Sequence, residues 1–175
     1  MKIRALLAII AFTIITGCSS HVTRPDVTAD AATPPIKALH SYAVEMSPDA
    51  KQQLADNVKF DVDELTRVFG RTLEGKGLIS TSGDYSVKIV VNDIRVRSTF
   101  NAIMWGFMAG NDHLNGDAIV LDSADVPIYT FEVNAAYALG GIGGGQDSSR
   151  LNWLYEEFSE QVADELDRKR GTQGD

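Results

Sequence analysis

The chain has little of several things, and each shortage closes a class of explanation. It holds one cysteine in 175 residues, so no disulfide can form within it. Lysine and arginine total 16 against 24 acids. No basic stripe offsets that balance, which disfavours nucleic acid and anionic head groups as partners. The three histidines, His21, His40 and His113, show neither metal-ligand spacing nor a nucleophile–base arrangement. No internal repeat is evident. The one sustained apolar run, residues 5–15, is too short to span a bilayer and has the length of a signal-peptide core.

What that run leads into is more specific. Lys2 and Arg4 precede it, and it closes on Ile15, Thr16, Gly17 and Cys18. Small residues directly before a cysteine at this place resemble a bacterial lipobox. The resemblance implies removal of residues 1–17, a diacylglycerol on the Cys18 sulfur and an acyl chain, such as palmitate, on its new amine. Three acyl chains exceed the roughly two needed for stable anchoring. Ser19, rather than an aspartate, follows, which by the usual sorting pattern favours the periplasmic face of the outer membrane. Losing residues 1–17 removes Lys2 and Arg4 and no acid, so the net charge moves from −8 to −10.

Residues 18–35 are expected to be the lipidated cysteine and a flexible tether rich in Ser, Thr, Ala, Asp and Pro; as a coil it would span roughly 20–25 Å. Residues 36–170 have the composition of one folded domain, and 171–175 are expected to be a disordered tail. A strand is predicted over 36–46. Ser47 and Pro48 read as a helix cap and first helical position, and Leu54, Val58, Val62, Leu65, Phe69 and Leu73 form one apolar stripe ending near Gly75–Lys76–Gly77. A strand follows at 85–97, then a hairpin from 117–122 and 128–137. On the second arm Tyr129, Phe131, Val133, Ala135 and Tyr137 share one face, and Ile128, Thr130, Glu132 and Asn134 a wetter one. The last helix, 148–169, places Leu151, Leu154, Phe158, Val162 and Leu166 inward. The fold class is α+β: a single domain, mostly antiparallel, with two helices on one face in the order β-α-β-β-β-α.

Two segments stand out as candidate sites. Residues 140–145 hold five glycines in six positions before the last helix. A phosphate loop there would need lysine after the last glycine, and Gln146 and Asp147 follow Gly145 instead. Gly141 and Gly143 begin a dinucleotide fingerprint that fails at Gln146. Nucleotide binding is not expected; a strand-to-helix joint that could also meet a partner is, with Gly141, Gly143 and Gly144 as its candidate contacts. The second segment, 102–109, carries Ile103, Met104, Trp105, Phe107 and Met108 between two strands, either tucked under the domain or exposed to a protein partner. Asn111, His113, Asn115, Gly116 and Asp122 match positions of a calcium loop, but histidine is a poor calcium ligand and a turn is the simpler reading. Glu156, Glu157, Glu160, Asp164, Glu165 and Asp167 line the last helix; paired acids could serve a wall hydrolase, but a solvated helix face explains them. No metal and no cofactor is implied.

On "VKIVVNDIRVR", "GNDHLNGDAIVLDSADVPIYTFEV" and the glycine segment before the last helix, the chain resembles small bacterial outer-membrane lipoproteins grouped as a domain of unknown function. That likeness covers about residues 85–166 and supplies no catalytic residues. It implies a non-catalytic, lipid-anchored envelope protein with a protein partner. A small-ligand or glycan-binding module using Tyr129 and Tyr137 is the alternative.

Overall fold

The computed structural model describes residues 20–26, 33–57, 59–97, 110–137 and 147–171. Its elements are β1 (His21–Thr23), β2 (Leu39–Met46), α1 (Pro48–Gln53), α2 (Val62–Gly75), β3 (Tyr85–Arg95), β4 (Asp112–Leu121), β5 (Pro127–Tyr137) and α3 (Asp147–Gly171). The five strands form one sheet in the order β1-β5-β4-β3-β2. Three pairings are antiparallel, while β2 runs parallel to β3. A parallel neighbour needs a crossover, and the α1–α2 segment supplies it.

The period-2 pattern sets the faces. Val87, Ile89, Val91, Leu114, Ala118, Val120, Tyr129, Phe131, Val133 and Ala135 all point into the core. α2 and α3 cover that face, with Leu65, Phe69 and Leu73 from one and Leu151, Leu154, Phe158, Val162 and Leu166 from the other, all buried. Gly116 makes the fit of α3 possible: a Cβ there would lie 2.8 Å from the Val90 carbonyl and 3.2 Å from the Phe158 ring. Among the described residues neither α2 nor α3 covers the opposite face, and there Ile128, Thr130, Glu132 and Asn134 on β5 are partly or fully exposed as expected.

Three expectations change. The stripe from Leu54 to Leu73 does not lie on one helix. The chain leaves the helix after Gln53 and restarts at Asp61, whose carboxylate caps α2 by accepting from Asp63 N and Glu64 N. The break has a physical cause. β2 stops pairing at Val91, leaving the end of β3 with an open edge. Gln53 and Asn57 close that edge with their side-chain amides: Ile94 N donates to Gln53 Oε1 at 2.8 Å, Val96 N donates to Asn57 Oδ1 at 2.7 Å, and Asn57 Nδ2 donates to Ile94 O at 3.1 Å. Phe60 then packs edge-on against Tyr155, whose hydroxyl accepts from Asp61 N at 2.8 Å.

β4 begins at Asp112, so "DHLNG", expected in a turn, is strand. And within the stretch expected as tether, His21–Thr23 pair with β5 in the register His21↔Asn134, Val22↔Val133 and Thr23↔Glu132. Arg24 then binds Glu165 on α3 at 2.7–2.8 Å.

Candidate functional site

The expected contact residues Ile103, Met104, Trp105, Phe107, Met108, Gly141, Gly143 and Gly144, and the expected lipidation site Cys18, lie outside the described residues. The residues from which those segments depart are described, and one buried ionic node joins them. Arg97 precedes the 98–109 segment, and Gly110 and Asp112 follow it. Tyr137 precedes the 138–146 segment, and Arg150 stands in the first turn of α3 behind it.

Asp112 is the first residue of β4 and, by strand alternation, shares the inward face with Leu114 and Gly116. Its carboxylate is wholly enclosed. Oδ1 accepts from Arg97 N at 2.7 Å and Arg97 Nε at 3.0 Å. Oδ2 accepts from Arg150 Nε at 2.8 Å and Arg97 Nη2 at 3.3 Å. The guanidiniums then reach main-chain oxygens: Arg97 Nη1 donates to Gly110 O at 2.5 Å, Arg97 Nη2 to Tyr137 O at 3.4 Å, and Arg150 Nη2 to Arg97 O at 2.6 Å. Planar forks suit this work because each satisfies several acceptors in fixed directions. The node therefore sets the positions of all four chain ends at once. Removing these charges from water costs several kcal/mol per ion, which only dense hydrogen bonding offsets.

A second ionic centre fixes the N-terminal strand. Glu165, expected on the solvated face of α3, is buried and accepts from Tyr129 Oη at 2.6 Å, Arg24 Nε at 2.8 Å and Arg168 Nε at 3.1 Å. Burial pushes its carboxyl up, but the hydrogen bonds from Arg168, Arg24 and Tyr129 prevail, leaving it below the ordinary glutamate value. Lys169 sits 4.7 Å over the Tyr129 ring. Tyr129 is thus a core residue, and Tyr137 packs on Trp153 at 5.1 Å between centroids. This packing removes Tyr129 as a stacking surface for a glycan.

The other acids take ordinary places. Glu160 and Asp164, one turn apart on α3, share Lys76 at 2.9 and 2.7 Å, beside a groove between α2 and α3 lined also by Arg71 and Glu156. On the outward face, His113 Nε2 lies 2.7 Å from Asp93 Oδ2 and Gln53 Nε2 donates to Asp93 Oδ1 at 2.6 Å. Burial raises the Asp93 carboxyl, and the bonds from His113 and Gln53 bring it below its usual value. Asn92 donates to Asp117 and Asn134 to Asn115, forming cross-strand polar pairs. The calcium-loop positions from His113 to Gly116 are spread along extended β4, which cannot curl around an ion.

No curated protein matches the chain in sequence. Among solved structures, it is similar to a PelC dodecamer from Paraburkholderia phytofirmans at 13% identity, TM-score 0.47, covering 84% of this chain and 96% of that one. A single-substitution variant of that PelC protein gives 14% identity, TM-score 0.49 and coverage of 83% and 97%. A minor lipoprotein from Acinetobacter baumannii is 11% identical, TM-score 0.42, with 76% and 91% covered. A family model described as a domain of unknown function, DUF4410, matches residues 22–141, from inside β1 to beyond the end of β5. That span is more than half of the chain, and the protein belongs to the DUF4410 family.

Proposed function

We propose that this protein is a non-catalytic, lipid-anchored component of the bacterial envelope. It is held by Cys18 on the periplasmic face of the outer membrane and binds another protein through the 102–109 segment, the glycine segment, or both. The observation that carries the reading is the N-terminal sequence: two cations, an apolar run of signal-peptide length, and small residues closing on the lone cysteine. No helix among the described residues is long and apolar enough to cross a membrane.

The buried node supports an interaction role for the two segments. A desolvated Arg–Asp–Arg cluster at their common base is an expensive way to fix the ends of segments that have no use for fixed ends. The sequence 102–109 is apolar enough to bury against a partner, with Trp105, Met104 and Phe107 of the residue types that dominate protein interfaces. The test is affinity capture of the full lipidated protein from crosslinked envelopes, with Trp105→Ala and Phe107→Ala alongside. The expected result is a specific partner whose recovery falls at least tenfold in one or both variants. Recovery of no partner, or of one indifferent to both substitutions, would count against the proposal.

A further inference from the structure

We infer that the end of the sheet at which β1 enters faces the lipid surface, and that the domain hangs from its anchor on a leash of about two residues rather than a long tether. The inference rests on the reading of Cys18 as the lipid-bearing residue. The register of β1 carries it: His21 lies opposite Asn134, and Ala136 N donates to Ser20 Oγ at 3.2 Å. Ser20 is therefore already seated on the sheet. One residue, Ser19, separates it from Cys18, and those two chain steps reach no more than roughly 7 Å. The chain before β1 runs toward the C-terminal end of β5, because the two strands are antiparallel.

β1 is short, and its hold comes from both sides. Val22 packs against the core beside Val133, and Arg24 is clamped by the buried Glu165 carboxylate. A strand tied at both ends to β5 and α3 cannot serve as slack. Most of the stretch expected as a tether follows β1 and leads onward to β2, so its length adds nothing to the distance between Cys18 and the domain.

Several elements end at this same pole. β3 leaves it at Arg97, β4 enters at Asp112, β5 stops at Tyr137, and α2 and α3 both begin there, joined by Asp61 N donating to Tyr155 Oη. The roots of the 98–109 and 138–146 segments thus stand at the lipid-facing end. The opposite pole holds the β4–β5 turn at Asp122–Val126 and the end of α2, where Arg170 Nη1 reaches Gly77 O. From Tyr137 to Pro127 the strand is ten steps long, so that pole lies roughly 34 Å further out when the strands stand upright.

The experiment uses the full acylated protein in vesicles of phosphatidylethanolamine and phosphatidylglycerol carrying a headgroup-linked quencher. Acylation consumes the Cys18 thiol, so single new cysteines can be labelled with a fluorophore. Asn111→Cys and Ser149→Cys report the near pole, and Glu74→Cys and Ala124→Cys the far one; all four positions are exposed. The expected result is quenching at least threefold stronger at both near positions than at both far ones. A twelve-residue Gly-Ser insertion between Ser19 and Ser20 is expected to abolish that difference. Equal quenching at the two poles, or stronger quenching at Ala124 or Glu74, would overturn the inference. Mass measurement of the N-terminal peptide keeps the two readings apart. An acylated, vesicle-bound protein without the polar difference defeats the orientation alone; an unacylated Cys18 defeats the anchor and the orientation with it.

Discussion

Asp112→Asn tests the ionic node with almost no change of shape. The substitution removes the carboxylate charge that Arg97 and Arg150 share and turns one acceptor oxygen into an NH2 group facing a guanidinium donor. Breaking one partner of a fully buried ion cluster costs about 3–5 kcal/mol, because the remaining charges lose their compensation. A domain of this size shifts its melting temperature by roughly 3–4 °C per kcal/mol. The expected loss is therefore about 9–20 °C, and about 3–5 kcal/mol is a large part of a total stability of about 5–15 kcal/mol. Thermal unfolding followed by circular dichroism measures the shift and urea unfolding the free energy, with Thr130→Ala on the outward face as a control expected within about 0.5 kcal/mol of the parent. The joint variant Arg97→Met, Asp112→Leu, Arg150→Met is expected to recover most of the loss, since apolar replacement of a buried ionic triad removes the desolvation penalty as well. A cost below about 1 kcal/mol for Asp112→Asn would put the node on the scale of a surface ion pair and refute the reasoning about the segment roots.

Three further outcomes follow from particular contacts. Glu165 has a folded carboxyl value below its ordinary 4.5, so its contribution is complete above that pH and is lost as pH falls through the folded value; Glu165→Gln should lower the urea midpoint at pH 7 and flatten its decline toward pH 3. Gly116→Val forces a side chain into the 2.8 Å approach to Val90 O beneath Phe158, and overpacking of this kind should cost about 1–3 kcal/mol or more in thermal unfolding. Asn57→Ala leaves Val96 N and Ile94 O without their side-chain partners, and at about 1–3 kcal/mol for each buried group stranded this way, chemical denaturation should report a loss of at least about 2 kcal/mol.

The elements most legible in the sequence are those whose burial has a local period. Leu151, Leu154, Phe158, Val162 and Leu166 announce the inner face of α3, and Tyr129, Phe131, Val133 and Ala135 the inner face of β5; all nine are buried. The break between α1 and α2 was hidden because Leu54 and Leu65 fall on one helical stripe, while the reason for the break is the open edge of β3, more than thirty residues away. Asn57 and Asp61, both suited to local side-chain capping, were the available signal. β4 looked like a turn through Gly110, Asn111, Asn115 and Gly116; its true pattern alternates Asp112, Leu114, Gly116, Ala118 and Val120 inward, and a buried aspartate and a glycine disguise that period. β1 has three residues and no period of its own, so only its pairing with β5 reveals it. The node was illegible for a related reason: Arg97, Asp112 and Arg150 lie 15 and 38 residues apart, and no local pattern links them.

The proposed function stands first on Cys18. Intact mass and N-terminal peptide mass of the protein isolated from bacterial envelopes test it most directly. The account predicts a mature chain beginning at Cys18, carrying a diacylglyceryl thioether and an acylated amine, recovered with the outer membrane and released from it by Cys18→Ala. A chain that retains residues 1–17, or that begins at Cys18 or beyond with no lipid, would contradict it.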